Sequence, residues 1–117
     1  MNDKALLSIA LLLIAAIPAE AMASPAYLEC EFVSNGQAFP VSVTADEAAG
    51  TVALFMPTTG NRQQLVGTFT ADRVMFATRS MSYVIDRVNL TITRNVHIIQ
   101  STEVGKCKVQ TPPKRAF

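Results

Sequence analysis

The sequence predicts an all-β domain, a small antiparallel barrel or sandwich of about seven to nine short strands closed by one disulfide. Short segments alternate apolar and polar residues, and turn-forming residues separate them every eight to twelve residues or so. No long segment has the 3.6-residue apolar period of a helix. The only two cysteines, Cys30 and Cys107, lie near opposite ends of the predicted domain.

The first residues have the three parts of a secretory signal peptide. A short polar start carries Lys4, an unbroken apolar run fills residues 5–17, and small residues follow Pro18. The apolar run has about 13 residues, fewer than the roughly 20 that a membrane-spanning helix needs. Cleavage after Ala21 or after Ala23 fits the pattern, and we favour Ala23; an uncleaved membrane anchor is the alternative.

This interpretation divides the chain into a signal peptide at residues 1–23, a β domain at 24–110 and a flexible tail at 111–117. We expect the mature protein to be periplasmic or secreted. Removing residues 1–23 leaves nine basic and seven acidic residues. This near balance does not favour nucleic-acid binding, which requires a strongly basic surface.

The first half of the domain begins with the clearest strand. Residues 27–33 alternate Leu28, Cys30 and Phe32 against glutamates, and Asn35-Gly36 then forms the strongest two-residue hairpin signal. Pro40 marks an edge or bulge position in the returning strand. The strands predicted in this half cover residues 27–33, 37–44 and 51–56, and a loop follows at 57–61.

The second half contains shorter apolar runs separated by polar pairs. Residues 88–93 alternate cleanly, and Arg94-Asn95 reads as a turn after them. Residues 101–105 read as a loop before the last strand. The segments predicted to be extended are 64–70, 74–78, 81–87, 88–93, 96–100 and 106–110. The segments 81–87 and 88–93 form one extended stretch, and a turn near Asp86-Arg87 that divides it is the alternative.

The cysteines predict how the domain closes. An exported chain with an even number of cysteines is expected to form a disulfide. Cys30 stands between two glutamates and Cys107 between two lysines. If the first and last strands are neighbours, the thiols meet on one face and the opposite charges face each other on the other. A disulfide between the two sheets of a sandwich is the alternative.

No set of residues in the sequence predicts catalysis or metal binding. His97 is the only histidine that a Ser-His-Asp triad could use, and it stands between Val96 and Ile98 in a predicted strand, where we expect a surface or edge residue. Two cysteines and this one histidine would make a poor zinc site. The sequence contains no glycine-rich phosphate loop. We therefore expect a protein that is not an enzyme and carries no cofactor and no metal.

The most promising binding segment is the polar run at residues 58–64. It contains Thr59, Gly60 and Arg62, the first arginine of the mature chain. Binding groups often lie on such loops above a rigid scaffold, and arginine pairs well with carboxylates. An ordinary connection between two strands is the alternative interpretation.

Two resemblances add expectations. Residues 83–90, with Tyr83 and an Ile-Asp-Arg turn, and the late Gly105-Lys106-Cys107 resemble small secreted bacterial β proteins of unknown function. Separately, the order of residues 27–30, residues 59–62 and Cys107 resembles bacterial periplasmic inhibitors of C-type lysozyme. In that family a Ser-Gly-x-Arg/Lys-Tyr loop enters the lysozyme cleft. The resemblance implies that Thr59, Gly60 and Arg62 take those places, with threonine for serine and Gln63 for the aromatic residue.

These observations favour a non-enzymatic exported domain that binds an envelope or secreted protein. They predict neither nucleic-acid binding nor membrane association after signal cleavage. Two alternatives remain open: a lysozyme-inhibitor-like protein that uses the segment from Thr59 to Arg62, and a carrier of a small apolar ligand. A barrel made of about 94 residues has an interior that its own side chains nearly fill, so the carrier ranks lower.

Overall fold

A computed structural model describes residues 24–111, in which eight β-strands form one sheet. The predicted signal peptide and all of the predicted tail except Thr111 lie outside the described residues. Residues 24–111 contain no helix suited by length and hydropathy to cross a membrane. The strands are β1 (Ala26–Ser34), β2 (Gln37–Asp46), β3 (Thr51–Met56), β4 (Asn61–Phe69), β5 (Arg73–Ala77), β6 (Met81–Asp86), β7 (Thr91–Val96) and β8 (Ser101–Gln110).

The sheet closes into a barrel in which every strand pairs antiparallel with its sequence neighbours and β8 pairs with β1. This confirms the all-β prediction and decides for the barrel over the sandwich. Cys30 and Cys107 are direct partners in the β1–β8 register and form the disulfide, with their Cα atoms 3.9 Å apart. The prediction that the first and last strands meet at the cysteines is therefore confirmed.

The flanking charges also occupy facing positions. Glu29 pairs with Lys108 and Glu31 pairs with Lys106 in the same register. The Glu29 carboxylate accepts hydrogen bonds of 2.8 and 2.9 Å from the Ser42 hydroxyl on β2. A polar row thus crosses β8, β1 and β2 on the outside of the barrel, next to the seam that closes it.

Antiparallel strands give the barrel two ends. The upper end carries the turns at residues 35–36, 57–60, 78–80 and 97–100. The lower end carries the turns at 47–50, 70–72 and 87–90, together with the start of β1 and the end of β8. Between them the interior is filled by apolar side chains, with the rings of Phe76 and Tyr83 stacked at 4.9 Å between centroids. The most deeply buried residues are Tyr83, Phe32, Ile85, Ile92, Val41, Val43, Val52 and Cys30.

The predicted turn at Arg94-Asn95 is wrong, because both residues lie within β7. Arg94 points into the barrel, where its guanidinium stands 4.5 Å from the centre of the Phe32 ring. It donates to the Glu103 carboxylate at 2.7 and 2.9 Å, and the two side chains are only 14% and 24% exposed. An ion pair inside the barrel lets charged residues continue the strands. Strand β7 therefore runs on to Val96, β8 begins at Ser101 and not at residue 106, and the turn lies at 97–100.

The segment at residues 88–93 was predicted to be a strand, and its first part is a turn instead. The Asp86 carboxylate accepts the backbone N–H groups of Val88 and Asn89 at 2.8 and 2.9 Å, which bends the chain over residues 87–90. Leu90 closes the turn at a φ of 57° and packs against the core. Val88 and Leu90 therefore belong to a turn and Ile92 belongs to β7, so their alternation in the sequence does not come from one strand.

We expect acid to weaken this turn. The N–H groups of Asn89 and then Val88, together with the charge of Arg73, hold the pKa of Asp86 below its ordinary value of 3.8. A lowered carboxyl pKa contributes stability above that ordinary value, and the contribution is lost as the pH falls through the folded-state pKa. The Asp86→Asn variant keeps an acceptor oxygen but does not titrate. Thermal unfolding between roughly pH 7 and pH 2 should show a smaller acid loss of Tm for this variant than for wild type. Equal losses would contradict the prediction.

Candidate functional site

The predicted binding residues lie on the hairpin of β3 and β4, whose turn at residues 57–60 belongs to the upper end. The Gly60 N–H donates to the Met56 carbonyl at 2.8 Å, and Gly60 has a φ of +73°, a region that favours glycine. The Thr59 hydroxyl accepts the Asn61 N–H at 3.3 Å. Thr59 and Gly60 therefore form a tight, hydrogen-bonded hairpin tip.

The predicted loop at residues 57–61 is confirmed as far as Gly60, and β4 begins at Asn61 and not at residue 64. Arg62, Gln63 and Gln64 belong to β4, where they pair with Phe55, Leu54 and Ala53 of β3. Strand β3 is strongly apolar and partly buried. Its hydrogen-bonded pairing with β4 therefore includes these polar residues. Arg62 is consequently placed on the outer wall of the barrel, beside the tip and not on it.

Arg62 is held in a defined position by an aromatic neighbour that the sequence analysis did not identify. Its guanidinium carbon lies 4.1 Å from the centre of the Phe55 ring, its cross-strand partner. A cation over a ring face at this distance is attracted by about 0.5–1 kcal/mol at an exposed site. Reading β3 and β4 as a pair with a four-residue turn would have found this contact.

A shallow groove of about 530 Å³ runs beside this pair. Two outward rows of residues line it, and the small Ala53 at the centre of the second row leaves the depression. Phe55 and Arg62 form one wall. The rows are Ser42–Phe55–Arg62 and Thr44–Ala53–Gln64, each crossing β2, β3 and β4.

The charge around this hairpin is positive and unopposed. Arg62 is the only charged residue between positions 48 and 71. Across residues 24–111, the ion pairs are Arg87–Glu47 and Arg94–Glu103, neither of which involves Arg62. Arg62 is exposed, rests on an aromatic ring and has no acidic partner within residues 24–111. Such an arginine is well suited to donate hydrogen bonds to a carboxylate of another molecule.

The β3–β4 hairpin also extends beyond β5, the next strand of the barrel. Strand β4 pairs with β5 only from Gly67 to Phe69, so its first part, residues 61–66, pairs with β3 alone. One edge of this part is therefore not covered by β5. The tip and Arg62 project together from the upper end of the barrel.

Exposed apolar side chains accumulate at the same upper end. Ile98 and Ile99, in the turn between β7 and β8, are 85% and 69% exposed. Both residues fall within the predicted strand 96–100, although two adjacent isoleucines of one strand cannot both face the interior. Exposed apolar groups on one side of a domain are typical of protein-contact surfaces. The others at this end are Val33, Phe39 and Val104.

The remaining polar residues do not assemble a reactive site. His97 lies in the turn after β7, and its Nε2 is 3.2 Å from the hydroxyl of Ser82. No acidic residue joins these two in the hydrogen bonds of the described chain. Within residues 24–111, no three His, Cys, Asp or Glu side chains are grouped so that they could hold a metal ion.

Comparison with known proteins does not add a functional assignment: no family model, curated protein or solved structure matches this chain.

Proposed function

We propose that this protein is a non-enzymatic binding domain whose β3–β4 hairpin contacts an acidic surface of an envelope or secreted protein. One observation carries the proposal. Arg62 is exposed, rests on the Phe55 ring at 4.1 Å and has no acidic partner among residues 24–111.

Pre-positioning makes this arginine effective. A long side chain that is free in solution loses conformational entropy when a partner binds it, at a cost of about 0.5–1.5 kcal/mol. The stacked guanidinium has already lost part of that freedom, and its planar fork can donate two parallel hydrogen bonds to one carboxylate. Arginine is among the residues enriched at the energetic centres of protein interfaces.

The hairpin itself supplies the other parts of an interface. The Phe55 ring provides apolar area directly beside Arg62. Thr59 and Gln64 offer hydrogen-bonding groups on the hairpin itself. Aromatic and arginine anchors with a polar rim are typical of non-obligate protein interfaces.

The proposed compartment follows from the disulfide and the N-terminal sequence. The disulfide between Cys30 and Cys107 is compatible with an oxidising, exported compartment. The signal-like residues 1–23 support export to the periplasm or the medium. The partner is then expected among exported or envelope proteins.

The test is a comparison of matched charge variants. The purified protein is used to capture partners from envelope and secreted extracts, each captured protein is purified, and its Kd is measured by titration. We expect Arg62→Ala to weaken binding at least tenfold, which is about 1.4 kcal/mol. Lys108→Ala, which removes a positive charge from β8 on the other side of the barrel, should leave the Kd unchanged. Failure to capture an exported protein, or equal Kd values for the two variants, would refute the proposal.

A second candidate function is inhibition of a C-type lysozyme. It is supported by the position of Thr59 and Gly60 at a projecting tip with Arg62 directly beside it. Such a tip can enter a cleft and present its arginine to carboxylates. The assay is the rate of cell-wall lysis by a C-type lysozyme with micromolar protein added. Slower lysis that Arg62→Ala relieves supports this function, and unchanged lysis removes it without affecting the broader proposal.

A further inference from the structure

The lower end of the barrel contains a cavity that the partner-binding proposal does not use. It measures about 180 Å³ and opens to solvent between the turns at residues 47–50 and 87–90. Its inner wall consists of the deeply buried Leu28, Val74 and Ile85. The other residues that line it are Ser24, Ala26, Ala45, Glu47, Phe69, Arg87, Leu90 and Val109.

The cavity exists because two small residues face each other across a strand pair. Ala26 of β1 is the direct partner of Ala45 of β2, and both line the cavity. The next inward residues towards the centre of the barrel are the larger Leu28 and Val43, partners of each other, and there the interior is filled. The cavity therefore lies at the level of the barrel where these two alanines leave the interior unfilled.

The rim is tied together by Arg87. Its side chain donates to the Glu47 carboxylate at 3.0 Å and to the Thr70 carbonyl at 2.7 Å, so one residue connects the three turns of the lower end. The backbone N–H of Arg87 also donates to the Asp72 carbonyl at 2.8 Å. These contacts hold the mouth in shape, and Glu47 and Arg87, the two charged residues that line the cavity, carry opposite charges.

We propose that this cavity binds a small, uncharged, apolar molecule about the size of one aromatic ring. A dry apolar cavity of about 150 Å³ in a protein core is large enough to accept benzene. The lining here is mostly apolar, with Ser24, Glu47 and Arg87 as its polar members, and burying the apolar surface of a ligand contributes about 25 cal/mol per Å². The neutralised rim gives an ionic ligand no net charge to bind.

The experiment is a ¹³C-methyl NMR titration of the purified protein with benzene, benzoate and benzylammonium. We expect benzene to shift the methyl signals of Leu28, Val74 and Ile85 saturably, and both charged analogues to bind at least tenfold more weakly. Signals of the exposed Ile98 and Ile99, at the opposite end of the barrel, serve as internal references and should not shift. Absence of a saturable shift with benzene, or equal binding of a charged analogue, would overturn the proposal.

Substitutions that fill the cavity, and one matched substitution outside it, test the position of the ligand. Ala45→Leu places its added atoms in the cavity, and Ala26→Leu does the same from an exposed position at the mouth, where folding is at less risk. Each should weaken benzene binding at least tenfold, whereas Ala38→Leu, on the exposed outward face of β2, should not. Unchanged binding in Ala26→Leu would place the ligand elsewhere and refute the assignment. Because Arg62 lies at the other end, this result is independent of the partner-binding test.

Discussion

Replacing Cys30 and Cys107 together by alanine is expected to lower the free energy of unfolding by about 4 kcal/mol. The disulfide joins residues 77 positions apart, so breaking it releases nearly the whole described chain in the unfolded state. It also lies at the β1–β8 pairing that closes the barrel. A domain with a single small core has a total stability of only about 5–15 kcal/mol, so this is a large share.

Urea unfolding of the double variant measures the change, and wild type treated with a reducing agent is the control. The two should agree within about 1 kcal/mol, because both lack the same covalent link. The prediction is contradicted if the double variant unfolds within about 1 kcal/mol of oxidised wild type. That outcome would mean that the hydrogen-bonded seam of β1 and β8 holds the barrel closed without help.

The second large effect is expected for Gly105→Ala, at least about 3 kcal/mol of destabilisation. A Cβ atom at this position would lie 2.5 Å from the carbonyl oxygen of Glu31 and 3.1 Å from a methyl group of Ile92. The first of these is a backbone atom of the neighbouring strand, so the clash is relieved only by moving β8 away from β1. Gly105 thus permits the close approach of the two strands beside the disulfide.

The control for this variant is Gly67→Ala on β4. A Cβ atom there would lie 2.7 Å from a methyl group of Val52 and 2.9 Å from the ring of Phe69, both side-chain atoms. Rotation of these side chains can relieve the contact, and we expect a loss of about 1 kcal/mol. The explanation is refuted if chemical unfolding shows Gly105→Ala to cost no more than Gly67→Ala.

The sequence favoured a meeting of the first and last strands at the cysteines, with a disulfide between the two sheets of a sandwich as the alternative. The alternation around Cys30, the charge pattern around both cysteines and the Asn35-Gly36 turn are local signals of a two-residue period and a tight hairpin. These local signals agree with the fold because β1 is flanked on both sides by strands and buries Leu28, Cys30 and Phe32 on one face. The choice between barrel and sandwich required the complete set of strand pairs.

The turns of the second half were harder to predict because side chains there do not follow the usual polarity. Arg94 and Glu103 lie inside the barrel as an ion pair, and Val88 and Ile98 lie outside it in turns. A pattern that assumes apolar residues inside and charged residues outside misplaces all four. Only the cross-strand partner of each residue, a tertiary contact, resolves these cases.

The candidate sites show the same division. Arg62 could be selected from composition, since it is the only charge in a long polar and apolar stretch. Its support by Phe55 depends on the register of β3 and β4, and the lower cavity depends on Ala26 facing Ala45. Each of these pairings is set by the hairpin turn that joins its two strands. It can be predicted only when the bounds of that turn are known.

The β1–β8 pairing has a practical consequence for presenting the molecule. Tyr27 and Gln110 are direct partners, so the first and last strands of the barrel leave it side by side at the lower end. A linkage made at either of these two residues would therefore hold the same end of the barrel towards a support. The β3–β4 hairpin would then face the solution, and the opening of the lower cavity would face the support.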